Sequence, residues 1–167
     1  MRHSQVLLTR QFQQYQQHPI EGVSFGLEDG NIYKWKVTII GPSGTPFENG
    51  LFQATMVFPE SYPMNPPSFK FKNFFYHPNI YPSGEVCISI LHPPGDETAL
   101  ALSGDRADET WSPVQSPESI VISIISMLVE PNPSSPANVD AAIEFRENRR
   151  GYEQKIRRIA QRSVEDI

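Results

Sequence analysis

A chain of 167 residues suits one domain, which at that size buries roughly 70% of its unfolded-chain surface and needs no metal or disulfide staple. Its single cysteine excludes an internal disulfide, and no apolar run resembles a signal peptide or a membrane span, so a reducing, cytoplasmic or nuclear setting without direct membrane insertion is expected. The net charge of −5 argues against general nucleic-acid binding, although residues 1–20 contain no acid while residues 96–109 hold five.

Near the start, Leu8, Phe12 and Tyr15 recur at spacings of four and three, which predicts an amphipathic helix over 4–17 ended by Pro19, with Arg10 and several glutamines on its solvated sides. Residues 23–27, the turn dipeptide Asp29-Gly30 and the alternating run 33–39 predict a hairpin. Residues 52–58 alternate in the same way, and 69–72 make a short fourth strand after Pro66-Pro67. An antiparallel four-stranded meander is expected. Its polar positions, including Ser24, Lys34, Lys36, Gln53 and Thr55, turn to water on the ordinary reading of a half-buried sheet.

From 74 to 91 no regular period persists, and loops of this kind commonly carry function. This stretch contains His77-Pro78-Asn79-Ile80-Tyr81-Pro82-Ser83-Gly84-Glu85-Val86-Cys87. Cys87 reads as the reactive centre. A thiol of ordinary pKa, about 8.5, is only a few per cent ionised at neutral pH. No lysine, arginine or second cysteine lies within several residues to make a permanent thiolate, which points away from a protease-like cysteine. Receiving an acyl group from another thiol needs less activation, because thiol and thioester exchange at similar energies. Cys87 would act as a carrier.

Residues 92–110 form an insertion in which Asp96, Glu97, Asp105, Asp108 and Glu109 face one Arg106; its plain reading is an acidic surface loop. The run 119–129 is in conflict with itself, since its β-branched residues favour a strand while Ser119, Ser123 and Ser126 keep helical spacing. Helix is the better reading. Ser116 can cap it, Pro117 suits its first position, Glu118 complements its dipole, and Pro131 closes it after a length too great for an average strand. Being apolar on most sides, it should be the central buried helix. Two C-terminal helices are expected over 139–146 and 149–163, the second with Tyr152, Ile156 and Ile159 inward.

His77-Pro78-Asn79 followed eight positions later by Cys87 resembles the active-site signature of ubiquitin-conjugating enzymes. Four further pieces fall in that family's order: Pro42-Ser43-Gly44-Thr45-Pro46-Phe47-Glu48-Asn49-Gly50, Tyr62-Pro63-Met64-Asn65-Pro66-Pro67, Trp111-Ser112-Pro113 and Glu130-Pro131-Asn132-Pro133. The resemblance covers nearly the whole chain. It implies an α+β ubiquitin-conjugating fold and a single catalytic domain over 1–167 with the acidic insertion at 92–110. The insertion, together with Ser112-Pro113-Val114-Gln115-Ser116 and residues 136–142, resembles the branch associated with degradation at the endoplasmic reticulum, which implies recruitment to that surface by a partner.

By the same resemblance, Cys87 accepts ubiquitin as a thioester from the ubiquitin-activating enzyme, which consumes the ATP, and no cofactor or metal is bound. A lysine amine then attacks. Asn79 is implied either as the donor to the oxyanion or as a brace for the loop, and His77 with Pro78 as loop supports rather than bases. Many family members carry an acid at the position of Ser135. Its place in helping the lysine shed its proton falls to His92 or to an acid among Asp96, Glu97, Asp105, Asp108 and Glu109. The first helix would meet the activating enzyme and RING-type ubiquitin ligases, with Arg10, Met64, Ser112, Pro113 and Val114 forming the ligase surface. Ser24, Lys34 and Lys36 would mark a backside site for a second ubiquitin or a recruiting segment. The alternatives are a carrier of a related modifier, a catalytically silent ubiquitin-binding module, and a cysteine hydrolase using His77 or His92.

Overall fold

The computed structural model describes residues 2–93, 110–134 and 136–165. Helix α1 (His3–Gln17) precedes strands β1 (Val23–Glu28), β2 (Asn31–Ile40), β3 (Leu51–Val57) and β4 (Ser68–Phe71), which pair antiparallel in the order β1-β2-β3-β4. A 3-10 turn over Ser89–Leu91 follows the cysteine, and helices α2 (Pro117–Val129), α3 (Val139–Glu147) and α4 (Arg149–Glu165) complete the chain. This is the expected α+β arrangement, with element ends moved by one or two residues.

Period-two patterning explains the sheet. The register pairs Trp35 with Met56, Val37 with Ala54, Ile39 with Phe52, Met56 with Phe69 and Ala54 with Phe71, so every member of this set is on one face, and all are buried. Ser24, Lys34 and Lys36 fall on the other face and are exposed. The β1–β2 turn uses Asp29 and Gly30 at φ 51° and 69°, the positive pair that a primed two-residue hairpin turn requires.

Trp35 joins α1 to the sheet. It is fully buried, with Phe12, Phe25 and Phe58 ring centroids at 5.3, 5.3 and 5.0 Å, and its indole N–H donates to the Ile32 carbonyl at 2.7 Å. Leu8 and Tyr15 share this core, as the helical spacing predicts.

The strand-versus-helix conflict at α2 is resolved at its start. Ser116 Oγ accepts from the Ser119 amide at 3.2 Å, while Ser119 Oγ accepts from the Ser116 amide at 2.8 Å, a reciprocal capping box behind Pro117. Ile120, Val121, Ile124 and Leu128 are buried to 1% exposure or less, so burial outweighs the β-branched preference. The end of α2 therefore comes to rest beneath the loop that carries Cys87. In α4 Tyr152, Ile156 and Ala160 are buried, and Ile159 packs at their edge.

Candidate active site

The loop before Cys87 is fastened at three successive residues, each to a different part of the chain. His77 is wholly buried: its Nδ1 accepts from the Asn79 amide at 3.0 Å, which leaves the proton on Nε2 to donate to the Met127 carbonyl at 3.0 Å, near the end of α2. Burial holds its pKa down, from 6.5 to about 4, against the raising effect of that carbonyl. A neutral ring with both nitrogens engaged is a brace. The Pro78 carbonyl accepts from the amides of Ala137 and Asn138 at 2.7 and 3.1 Å. Asn79, 5% exposed, donates from Nδ2 to the Asn132 carbonyl and accepts at Oδ1 from the Asn132 amide, both at 2.8 Å. The carbonyl of Asn79 in turn accepts from the Cys87 amide at 2.9 Å.

On its other side the loop is stitched to the sheet. The Val86 amide donates to Phe69 O and the Phe71 amide to Gly84 O, each at 2.9 Å. A tight turn closed by Gly84 N to Tyr81 O at 2.8 Å lets the chain double back. Gly84 has φ 98°, and a Cβ there would stand 2.3 Å from the Phe71 carbonyl oxygen, so the turn needs glycine twice over.

Cys87 is half-buried in a cleft of about 350 Å³ walled by Pro67, Phe69, Leu91 and Pro93 among others. The Tyr81 hydroxyl donates toward Sγ at 3.8 Å, and that contact is the main reason its pKa is raised. His92 Nε2 stands 3.9 Å from Sγ. Among the described residues its buried Nδ1 meets no hydrogen-bond partner.

The proposed ligase surface is drawn together by two aromatic residues. Trp111 Nε1 donates to Pro63 O at 2.8 Å, and the Tyr62 hydroxyl donates to Gln11 Oε1 at 3.0 Å, with the two rings 6.0 Å apart. Residues 62–64, 111–114 and α1 are thereby neighbours, leaving Arg10 and Pro113 exposed, Met64 at 63% and Val114 at 89% exposure, and Ser112 half-buried. Asp96, Glu97, Asp105, Asp108, Glu109 and Ser135 lie outside the described residues. Among the described residues no cluster of three or more His, Cys, Asp or Glu is placed to hold a metal, and no helix is long and apolar enough to cross a membrane.

Residue type and spacing along the chain assign no role to Tyr81 or Asn132. The Pro82-Ser83-Gly84 turn is a signal that could have brought Tyr81 back toward Cys87. Asn132 acts through its backbone, which leaves no trace in side-chain type.

The sequence model described as ubiquitin-conjugating enzyme matches residues 7–160. Ubiquitin-conjugating enzyme E2 15 of Schizosaccharomyces pombe is 51% identical over 165 residues, covering 98% of this chain and 97% of the relative. Ubiquitin-conjugating enzyme E2 13 of Arabidopsis thaliana is 50% identical over 161 residues (96% and 95%), and ubiquitin-conjugating enzyme E2 G2 of Bos taurus is 43% identical over 158 residues (94% of each). With likeness along almost its full length, one cysteine, and the α+β fold built around that cysteine's loop, the chain belongs to the ubiquitin-conjugating enzymes, transferases that pass ubiquitin on through a cysteine thioester.

Proposed function

We propose that Cys87 is the residue that carries ubiquitin, that Asn79 serves the transfer to lysine, and that the chain works with RING-type ligases in the branch associated with degradation at the endoplasmic reticulum. The observation that supports this best is the setting of Cys87: a half-buried thiol in a cleft, on a loop fastened to α2 and the sheet. In loading, Cys87 sulfur bonds to the ubiquitin carbonyl carbon as the bond to the activating enzyme's sulfur breaks, and that enzyme's thiol takes up the proton Cys87 gives up. In discharge, a lysine nitrogen bonds to the same carbon, the carbon–sulfur bond breaks, and a proton from the amine returns to Cys87.

The second step passes through an oxyanion. One amide hydrogen of Asn79 goes to Asn132, and an NH₂ group carries two, so the brace and the oxyanion donor are compatible roles. Such a donor contributes roughly 10²- to 10³-fold in rate. His92, with Nε2 facing Sγ, and the acids at 96, 97, 105, 108 and 109 help the lysine lose its proton, since an amine of ordinary pKa about 10.4 is otherwise charged. A hydrolase is disfavoured: His77 is committed to two backbone groups, and among the described residues Nδ1 of His92 has no hydrogen-bond partner to orient it.

Incubation with activating enzyme, ATP and a panel of modifiers, followed by a non-reducing gel, tests the reading. Ubiquitin should form a thiol-labile adduct, Cys87→Ser a more stable ester, and Cys87→Ala none. Charging of Cys87→Ala, or of the wild type with no modifier, overturns it. Neutralising the five insertion acids together should leave loading intact and reduce lysine discharge or change the chains built. Unchanged rates and products at low and moderate salt would reduce the insertion to a solvated loop. Enrichment at the endoplasmic-reticulum surface in fractionated cells, lost when a recruiting partner is removed, would support the branch assignment.

A further inference from the structure

A second cleft, of about 240 Å³, opens where α4 crosses the start of β3 and the end of β4, and shares no lining residue with the cleft at Cys87. Its walls are mainly Leu51, Phe52, Phe71, Phe74, Phe75 and Ile159. Phe75 is 2% exposed and belongs to the core, but Phe74 leaves 58% of its surface in water. Ser163, one of two polar residues on the helix side, is already used: its Oγ accepts from the Leu51 amide at 2.8 Å and donates to the Ala160 carbonyl at 2.6 Å. The cleft therefore sets an apolar side, with room for an anchor, against polar side chains from Gln53, Asn73 and Arg162. Its volume falls below the roughly 300–1,000 Å³ of ordinary small-molecule pockets and suits one large side chain.

The charge beside it is mainly positive. α4 carries Arg149, Arg150, Lys155, Arg157, Arg158 and Arg162 against Glu153 and Glu165, in a chain whose net charge is −5. Lys155 is paired with Glu144 and Arg157 with Glu153. Arg158 and Arg162 are exposed, one turn apart on one face, and neither pairs with an acid among the described residues. Arg162 also lines the cleft. Apolar room for one anchor flanked by unpaired guanidinium groups is complementary to carboxylates set around a hydrophobic residue.

We propose that this cleft docks an acidic segment of a partner protein, placing one aromatic or aliphatic side chain against Phe74 and Ile159 and its carboxylates against Arg158 and Arg162. The site is separate from the thioester chemistry, and its test needs no charging. Long polyanions are poorer candidates, because the rest of the acidic surface repels them.

The probes are fluorescein-labelled peptides about twelve residues long, rich in Asp and Glu around a central Phe, Trp, Leu or Met. Matched controls replace the anchor with Ser or the acids with Lys, and a deoxythymidine oligomer reports plain charge attraction. Anisotropy gives the affinity, and amide shift changes in isotope-labelled protein give the location. At least one acidic anchored peptide should bind with shifts concentrated in residues 51–53, 71–75 and 158–163. The double variant Arg158→Glu/Arg162→Glu and, separately, Phe74→Ser should each weaken it about tenfold or more while keeping the melting temperature. Both changes are at exposed positions, and either loss alone supports the site if the variant is folded. No binding by any acidic peptide, shifts on another face, equal binding by the Ser-anchored or Lys controls, or tighter binding of the oligomer overturns the proposal.

Discussion

His77 makes the stability of this fold depend on pH in a way that can be calculated. Its imidazole is wholly buried and neutral, with the pKa lowered from 6.5 to about 4. The unfolded chain takes up a proton as pH falls through 6.5, whereas the folded chain resists until about 4, so acid favours unfolding across this window. The stabilisation is complete above 6.5, declines below it, and is gone once pH has passed the folded value. At 1.36 kcal/mol per pK unit the full effect is about 3 kcal/mol, of which about 2 kcal/mol is lost between pH 7 and pH 5. Glu144, whose pKa is lowered by Lys155, loses its contribution only as pH falls below the ordinary glutamate range, so it adds little here. Urea unfolding at constant ionic strength, at pH 7 and pH 5, should show this loss in the wild type and a much smaller one in His77→Gln, which cannot titrate. Equal losses in the two proteins, or a His77 ring-proton resonance that titrates near 6.5, would refute the reasoning.

Asn79→Ala should cost about 1–3 kcal/mol in thermal or urea unfolding, since it strands the amide and carbonyl of Asn132, and single-turnover assays should show lysine discharge slowed far more than loading. Equal damage to both steps would leave Asn79 as a brace alone. Gly84→Ala should destabilise the fold by about 1–3 kcal/mol and impair charging, because the new Cβ meets the Phe71 carbonyl at a backbone angle that suits glycine. Trp111→Phe removes both the donor to Pro63 and the buried five-membered ring, at a cost of about 2 kcal/mol or more in urea unfolding. Ligase-stimulated discharge, measured beside loading, should fall as residues 62–64 and 111–114 separate.

Local pattern carried much of this molecule. Alternation over 33–39 and 52–58 specified strands because burial on one face of a pleated sheet repeats every two residues, and the Ser116-Pro117-Glu118 start specified α2 because a helix must satisfy its first amides within its own neighbourhood. The sole cysteine behind His77-Pro78-Asn79 was legible for a different reason, being a matter of residue type and spacing. How that loop is held was decided only by the tertiary structure. The His77 ring reaches Met127 across 50 positions and the Asn79 amide reaches Asn132 across 53. Both partners are backbone groups, whose chemistry is the same at almost every residue. Likewise His92 approaches Cys87 only because the turn at Ser89–Leu91 brings the chain round, and the Phe74 cleft exists only because α4 crosses the sheet beside it. Side-chain periodicity records which face of an element is buried, but a contact between distant backbone atoms depends on how whole elements pack, and no run of neighbouring residues encodes that.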